Sequence, residues 1–502
     1  MRNYQNKAGE AIRERSLALL TVAAFFHDAG KASVLFQRRM DRPAGELAAQ
    51  EPVRHEFISA AVFDALLGDA ADEEFSARLG ALTARDHQRA WATVPAVVGA
   101  AVADPAAPLP FRFLTGDAMT RSVGHLVLSH HRLPLLTDGL PNGERMVRPD
   151  LMTDGDLGRI VLAPGTPFWD DASMIGPLMS VIPRLTPGPA LSTPFFLRAC
   201  LSMADSTASS RRGISRTRPE YAANRNAEQW GDDLTEHTRQ VMDLSRKAFD
   251  LIIGRRDEWP AIPADRLPDW LTVASGHEQD GAGGLFGIIS GDDEGERLRS
   301  QFVLLTQAAM SDPEPARRGL RVSVVSPTPQ IEAKRAKALI KQLGFDKADV
   351  MTYRDSPQAL NPQPPDPGCP TADLAGLHPH LDRHRVLDPA VLVCSLAQIG
   401  KSASPQYSKD LTASLRMMNS DVAVEDADLI EPAARDVLMR LMWQAGASGR
   451  RAVISGASIP QALADDSLEA YREGWAEHAA LSGKEGAVRV ALLGAADETP
   501  AP

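Results

Sequence analysis

Phe25-Phe26-His27-Asp28-Ala29-Gly30-Lys31 is the stretch from which the fold is read. An apolar run, Leu17 to Phe26, delivers a vicinal His-Asp pair, then a Gly and a Lys. Apolar residues that become continuous toward a helix end mark that end as buried. Three further pieces follow in order: His55 in Arg54-His55-Glu56, the pair in Ser129-His130-His131, and Asp205 in Met203-Ala204-Asp205. The apolar spacing predicts helices over 11–26, 55–67, 121–131 and 194–205, with Pro134 stopping the third. Residues 140–189, rich in Gly, Pro and Asp, are expected to be loops with short helices, and 228–253 a further amphipathic helix.

Side chains brought from several helices are consistent with a site inside a helical bundle. Imidazoles with a few carboxylates favour Mn, Ni, Co or Fe over Mg. Such an ion lowers the pKa of bound water and neutralises phosphate charge, the two obstacles to phosphodiester hydrolysis. Vicinal residues on a helix diverge by about 100°, so His27 and Asp28 reach two ions or two sides of one. The expected ligands are His27, Asp28, His55, His130, His131 and Asp205. Asp28 is also expected to orient the attacking water, and Lys31, about one turn after His27, to steady the phosphate. His125 reads as an extra ligand or a packed core histidine. Singly, a lone histidine fits a structural role; the ordered set is what points to metal.

Beyond residue 253 the pattern changes. The Pro-rich stretch Trp259 to Pro268 marks a boundary, giving an all-α domain over 1–250, a linker over 251–278 and an α/β domain over 279–502. Strands are expected at 285–290, 320–326, 390–395, 421–424 and 452–455, and helices at 297–310, 331–343 and 432–446. Short apolar strands alternating with helices argue for a parallel sheet. Residues 358–381, rich in Pro, are expected to be loop.

The chain has 502 residues, 44% hydrophobic and 24% charged, so it is globular and exceeds one core. The formal net charge of −11 argues against binding nucleic acid by bulk charge. Arg211, Arg212, Arg216 and Arg218 form a local basic run that reads as a rim for single-stranded DNA or as a solvated loop. The three cysteines, Cys200, Cys369 and Cys394, are far apart and suggest no disulfide framework. No signal-peptide pattern or bilayer-length apolar run is seen, so a cytoplasmic protein without a membrane partner is expected.

The ordered pieces resemble an HD-type metal phosphohydrolase. FFHDAGKASVLFQ, PVRHEFISAAVF, LVLSHHRLP and LRACLSMADSTASS resemble the HD nuclease domain of the CRISPR-associated helicase-nuclease of type I systems, and most of all subtype I-F. The resemblance carries His27, Asp28, Lys31, His55, His130, His131 and Asp205. In two respects the chain departs from that pattern: no histidine precedes His27, and Ser206 and Thr207 follow Asp205. One ion or two is therefore left open. The second half resembles the first RecA-like lobe of that family's superfamily-two helicase. Glu425-Asp426 with Asp428 stand at the Walker B position, and Ser455-Gly456-Ala457-Ser458-Ile459-Pro460 at the "SATLP" motif. The phosphate loop differs: Glu296 stands where the family's Lys belongs and Arg297 where its hydroxyl belongs, behind Asp292, Asp293 and Glu294. Those charges repel triphosphate, so ATP binding is not expected and the lobe reads as degenerate and truncated.

The resemblance thus implies a metal-dependent DNA nuclease of antiviral defence. Its expected partners are single-stranded DNA and CRISPR surveillance complex subunits. The alternatives are a non-enzymatic interaction protein of such a complex and an HD phosphohydrolase acting on nucleotides.

Overall fold

The computed structural model describes residues 2–40, 51–131, 146–164, 172–188, 196–210, 233–255, 258–274, 283–311, 318–353, 369–378, 381, 386–402, 410–482 and 486–494. The basic run Arg211 to Arg218 lies outside the described residues. The chain divides into two compact units, Met1–Asp250 and Leu251–Pro502.

The first unit is helical. Its α-helices are α1 (Arg2–Phe26), α2 (Val34–Met40), α3 (His55–Leu67), α4 (Asp72–Ala81), α5 (Ala84–Ala103), α6 (Ala118–Ser129), α7 (Ala172–Val181), α8 (Arg198–Ser210) and α9 (Leu234–Phe249). In α1 every residue from Ala18 to Phe26 is buried, as its apolar run requires. In α3 every residue but Ala65 is buried, so this helix is wrapped on all sides. Phe63 of α3 meets Phe26 edge-on at 5.5 Å and Phe113 at 6.0 Å. Burying such a ring stabilises by about 1.5–3 kcal/mol. These contacts fix α3 against the end of α1, where the His-Asp pair emerges.

Helices α4 and α5 add to those expected from sequence. Pro95 lies inside α5, a residue that ordinarily ends a helix. A capping box starts α5: the Thr83 hydroxyl accepts from the Asp86 N–H, and the Asp86 carboxylate accepts from the Thr83 N–H at 3.0 Å.

The second unit carries a seven-stranded sheet of β1 (Gly284–Ser290), β2 (Val322–Ser326), β3 (Val350–Thr352), β4 (Val391–Ser395), β5 (Asp421–Val424), β6 (Ala452–Gly456) and β7 (Val488–Gly494). Their order is β3-β4-β2-β5-β6-β1-β7, and every pairing is parallel. Strands β2, β4, β5 and β6 are buried at every residue, which is why they read as apolar runs without alternation. Helix α10 (Asp269–Ala274) packs beside α11 (Glu294–Met310), which follows β1; α12 (Glu332–Lys341) follows β2. Leu267 and Leu271 enter the same apolar core as Leu305, Val324 and Val453. Pro370–Leu377 is helical where the sequence suggested loop. Its Pro370 occupies the first turn, where a missing N–H costs nothing.

Among the described residues no helix is long and apolar enough to cross a membrane. The three cysteines are free.

Candidate metal centre

The His-Asp pair lies just past α1, not on it: the helix ends at Phe26, and the His27 N–H still donates to the Ala23 carbonyl at 2.8 Å. A short 3₁₀ turn, Ala29–Ala32, follows. Gly30 in that turn donates its N–H to the Ser59 hydroxyl of α3 at 2.8 Å. A Cβ on Gly30 would stand 2.2 Å from the His55 carbonyl oxygen. The glycine is therefore required by the close approach of turn and helix, not by its φ. The same contact sets Asp28 against His55.

All six expected ligands gather here, with His237 of α9. They form two groups whose donor atoms lie within 4.8 Å of one another: Asp28, His55, His130 and His131, and His27, Asp28, Asp205 and His237. Asp28 belongs to both. Its Oδ1 faces His55 Nε2 at 3.3 Å and His130 Nε2 at 3.7 Å. Its Oδ2 faces His27 Nε2 and His237 Nε2, each at 3.2 Å. Asp205 Oδ1 lies 3.1 Å from His237 Nε2 and 3.8 Å from His27 Nε2, and its Oδ2 lies 3.4 Å from His131 Nδ1. Lys31 Nζ pairs with Asp28 Oδ2 at 2.6 Å.

The imidazoles are aimed by their far nitrogens. His27 Nδ1 donates to the Ala24 carbonyl at 2.7 Å and His130 Nδ1 to the Val127 carbonyl at 2.8 Å. Those bonds fix the tautomer of the neutral ring and turn Nε2 into the site. His55 Nδ1 stands 3.3 Å from Glu51 Oε2 and 3.5 Å from Glu56 Oε2, the carboxylate-backed arrangement typical of metal-binding histidines. Meanwhile His27 Nε2, His55 Nε2, His130 Nε2 and Asp28 Oδ1 are buried and make no hydrogen bond. Buried polar atoms are ordinarily satisfied, and imidazole nitrogens with carboxylate oxygens are donors suited to a divalent transition ion. The residues present fit such an ion.

The carboxylates dominate the electrostatics of the site. Burial opposes ionisation of Asp28 and Asp205, yet both are held well below the usual carboxylate range, Asp28 by His27 and Lys31, Asp205 by His131 and His237. Burial likewise opposes protonation of His27, but Asp28 and Asp205 carry it to about 9. His55 rises to about 10, where Glu56 and Glu51 outweigh burial. His130 is lowered by burial, and His131 falls to about 3 through burial and the neighbouring His130. Two ionised carboxylates in a dry site demand positive charge nearby.

His125 belongs to neither group. Its ring meets Phe113 edge-on at 6.1 Å, and burial pushes it down to about 4. Three residues of the site carried no role in the sequence reading: His237, Glu51 and Glu56. Glu56 was legible as the neighbour of His55; His237 had no motif around it.

No family model matches the chain. Among curated proteins it is 25% identical to the CRISPR-associated nuclease/helicase Cas3 subtype I-F/YPEST of Pseudomonas aeruginosa and 24% to that of Pectobacterium atrosepticum, each over 91% of this chain. The chain resembles the subtype I-F Cas3 nuclease/helicases. It spans about half the length of these curated relatives, 48% of each. Solved structures similar to it include T. fusca Cas3, with a TM-score of 0.41 at 15% identity over 92% of this chain and 50% of that one. Another is a pre-nicking CRISPR RNA-guided surveillance complex, with a TM-score of 0.37 at 12% identity over 91% and 47%.

In the Cas3-like second unit, the loop after β1 is closed by its own side chains. The Asp293 carboxylate caps α11 by accepting from the Glu296 N–H at 2.8 Å. Arg297 turns back to the Gly291 carbonyl and to Asp426 Oδ1, the latter at 2.7 Å. Arg335 of α12 enters the same place, reaching Glu294 at 2.6 Å, Asp426 at 3.1 Å and Glu425 in direct contact. Gln301 donates to Glu425 at 3.1 Å. Glu425 is fully enclosed, and burial pushes its carboxyl up to about 7 despite Arg335. Asp426 adopts the left-handed conformation, φ 49°.

Proposed function

We propose that this chain is a metal-dependent DNA nuclease of CRISPR defence whose helicase-like unit does not use ATP. The observation that carries the reading is the convergence of six expected His and Asp side chains, from four separate segments, on two groups that share Asp28. A divalent ion bound there supplies an acidified water and a positive centre for the phosphate. The chain's own residues do the rest. The Ala24 and Val127 carbonyls hold His27 and His130 in the tautomer that presents Nε2. Asp28, kept ionised, accepts a hydrogen bond from the attacking water and so aims its lone pair at phosphorus. Lys31, buried with its ammonium 2.6 Å from Asp28, adds positive charge beside the phosphate. His131, with its side chain 33% exposed, marks the side from which DNA reaches the site.

Single-stranded DNA and surveillance complex subunits are the partners this reading implies, in keeping with relatives named CRISPR-associated nuclease/helicase. The absence of ATP turnover is inferred from the arginines. Where a nucleotide-binding lobe needs a free acidic pair for Mg and free N–H groups for phosphate, Glu425 and Asp426 are engaged by Arg335 and Arg297, and α11 is capped by Asp293.

The test is degradation of circular single-stranded DNA by the purified chain with Mn²⁺ or Ni²⁺, without ATP. Asp28→Ala is expected to abolish it. An Asp28→Ala variant as active as the wild type would remove the site assignment.

A further inference from the structure

We infer that Arg198 is a positioning residue of the centre: with Ser202 it ties the end of α6 to α8 and so sets where His130 and His131 stand. The inference rests on the metal reading above and adds to it two residues that touch neither ion nor DNA.

The last carbonyls of a helix have no partner inside it. At the end of α6 those carbonyls are taken up one after another. Val127 accepts from His130 Nδ1 at 2.8 Å. Ser129 accepts from Arg198 Nε, also at 2.8 Å, and His130 from the Ser202 hydroxyl at 2.6 Å. The carbonyls tied to α8 thus belong to the first histidine of the pair and to the residue before it. Their orientation decides where both imidazoles point.

The ties come from the helix that carries Asp205. In α8, Arg198, Ser202 and Asp205 stand at i, i+4 and i+7, on one face. Arg198 holds Ser129, Ser202 holds His130, and Asp205 Oδ2 meets His131 Nδ1 at 3.4 Å. Three consecutive residues of one helix end are therefore met in register by three residues of another. The spacing fixes the His131–Asp205 pair, and with it the reach of His130 Nε2 to Asp28 Oδ1, 3.7 Å away.

An ordinary helix cap is the competing account. Arg198 is 4% exposed, and burial pushes its guanidinium down to about 9. Desolvating a charge is expensive, and a helix end needs no buried arginine to be satisfied: glycine, water or a residue of its own last turn serves. None of Ser129, His130 and His131 is glycine, and the last turn of α6 has no basic residue. The cation is supplied instead from α8, where it meets the negative end of the α6 dipole and couples the two ligand-bearing helices.

The experiment compares the full wild-type chain with Arg198→Met, Arg198→Lys and Ser202→Ala. Readouts are Mn²⁺ calorimetry, thermal melting, and steady-state cleavage of single-stranded DNA at saturating Mn²⁺. Arg198→Met keeps the bulk and removes the donors. It is expected to weaken Mn²⁺ binding by about 10–100-fold, and to lower kcat at saturating metal while KM for DNA stays unchanged. Arg198→Lys, whose ammonium can still donate to the Ser129 carbonyl, is expected to recover most of the affinity. Ser202→Ala, a small change at a half-buried position, guards against misfolding and is expected to weaken binding by about fivefold. A folded Arg198→Met variant that melts lower but keeps wild-type Mn²⁺ affinity and kcat would overturn the inference and leave a structural cap. Should Arg198→Met not fold, unchanged affinity and kcat in Ser202→Ala would overturn it. A wild type that binds no Mn²⁺ overturns the metal reading as well.

Discussion

Replacing Gly30 with alanine tests how the site is positioned. A Cβ there would lie 2.2 Å from the His55 carbonyl oxygen and 2.9 Å from Ile58 Cβ, whereas ordinary contact begins at 3.4 Å. Neither atom is the end of a flexible side chain, so the turn must retreat from α3 by more than about 1 Å. Overpacking of this kind costs about 1–3 kcal/mol, which lowers the melting temperature of a unit this size by roughly 2–12 °C. The retreat also separates Asp28, on the turn, from His55, on α3, now 3.3 Å apart. Displacing a ligand's support typically weakens metal affinity by about 10–100-fold. Calorimetric Mn²⁺ titration and thermal melting of Gly30→Ala measure both effects. Ser59→Ala, which deletes only the Gly30 anchor, is expected to cost about 1 kcal/mol and to leave affinity nearly intact. A Gly30→Ala variant with wild-type melting and Mn²⁺ affinity would refute the close-approach argument.

Arg335→Met leaves the buried Glu425 without its guanidinium, while Asp426 keeps Arg297, and urea unfolding should show a loss of about 3–5 kcal/mol in the second unit. Adding Glu425→Gln should recover part of it. Mg-ATP is expected to leave the thermal transition where it is, although a ligand at about a hundredfold its Kd would add about 2.7 kcal/mol; an upward shift would contradict the closed loop. His87, accepting from Trp91 Nε1 at 3.2 Å, is pushed by burial to about 4 from 6.5. Between those values the unfolded chain binds a proton that the folded one refuses. Stability therefore falls as pH falls through this window, by up to about 3 kcal/mol. Denaturant midpoints for His87→Gln should show a shallower pH dependence there than the wild type.

The legible part of the site was the part with local context. His27, Asp28 and Lys31 adjoin one another after an apolar run, and His130-His131 are vicinal, so chemistry and helix end could be read together. His237 has no such context: a single histidine on an amphipathic helix is made relevant only by the packing of α9 on α8. In the second unit β2, β4, β5 and β6 stood out because burial on both faces leaves an unbroken apolar run. β3 has three residues and β7 is half-exposed, so neither carries that signal. The exchanged residues of the phosphate loop were visible as charges. That Arg297 folds back onto Asp426, and that Arg335 arrives from α12, are tertiary facts with no trace in local sequence.

The completeness of burial around Asp28 has a kinetic meaning. His27, Asp28 and His237 have side chains at 0% exposure. Anything seated between them exchanges with solvent only when α1, α8 and α9 part, so the free energy of that opening is added to the barrier for release. Retention there is a property of helix packing as much as of bond strength. Chelators should strip the His131 side quickly and the deep side at the slower pace of the protein's own breathing.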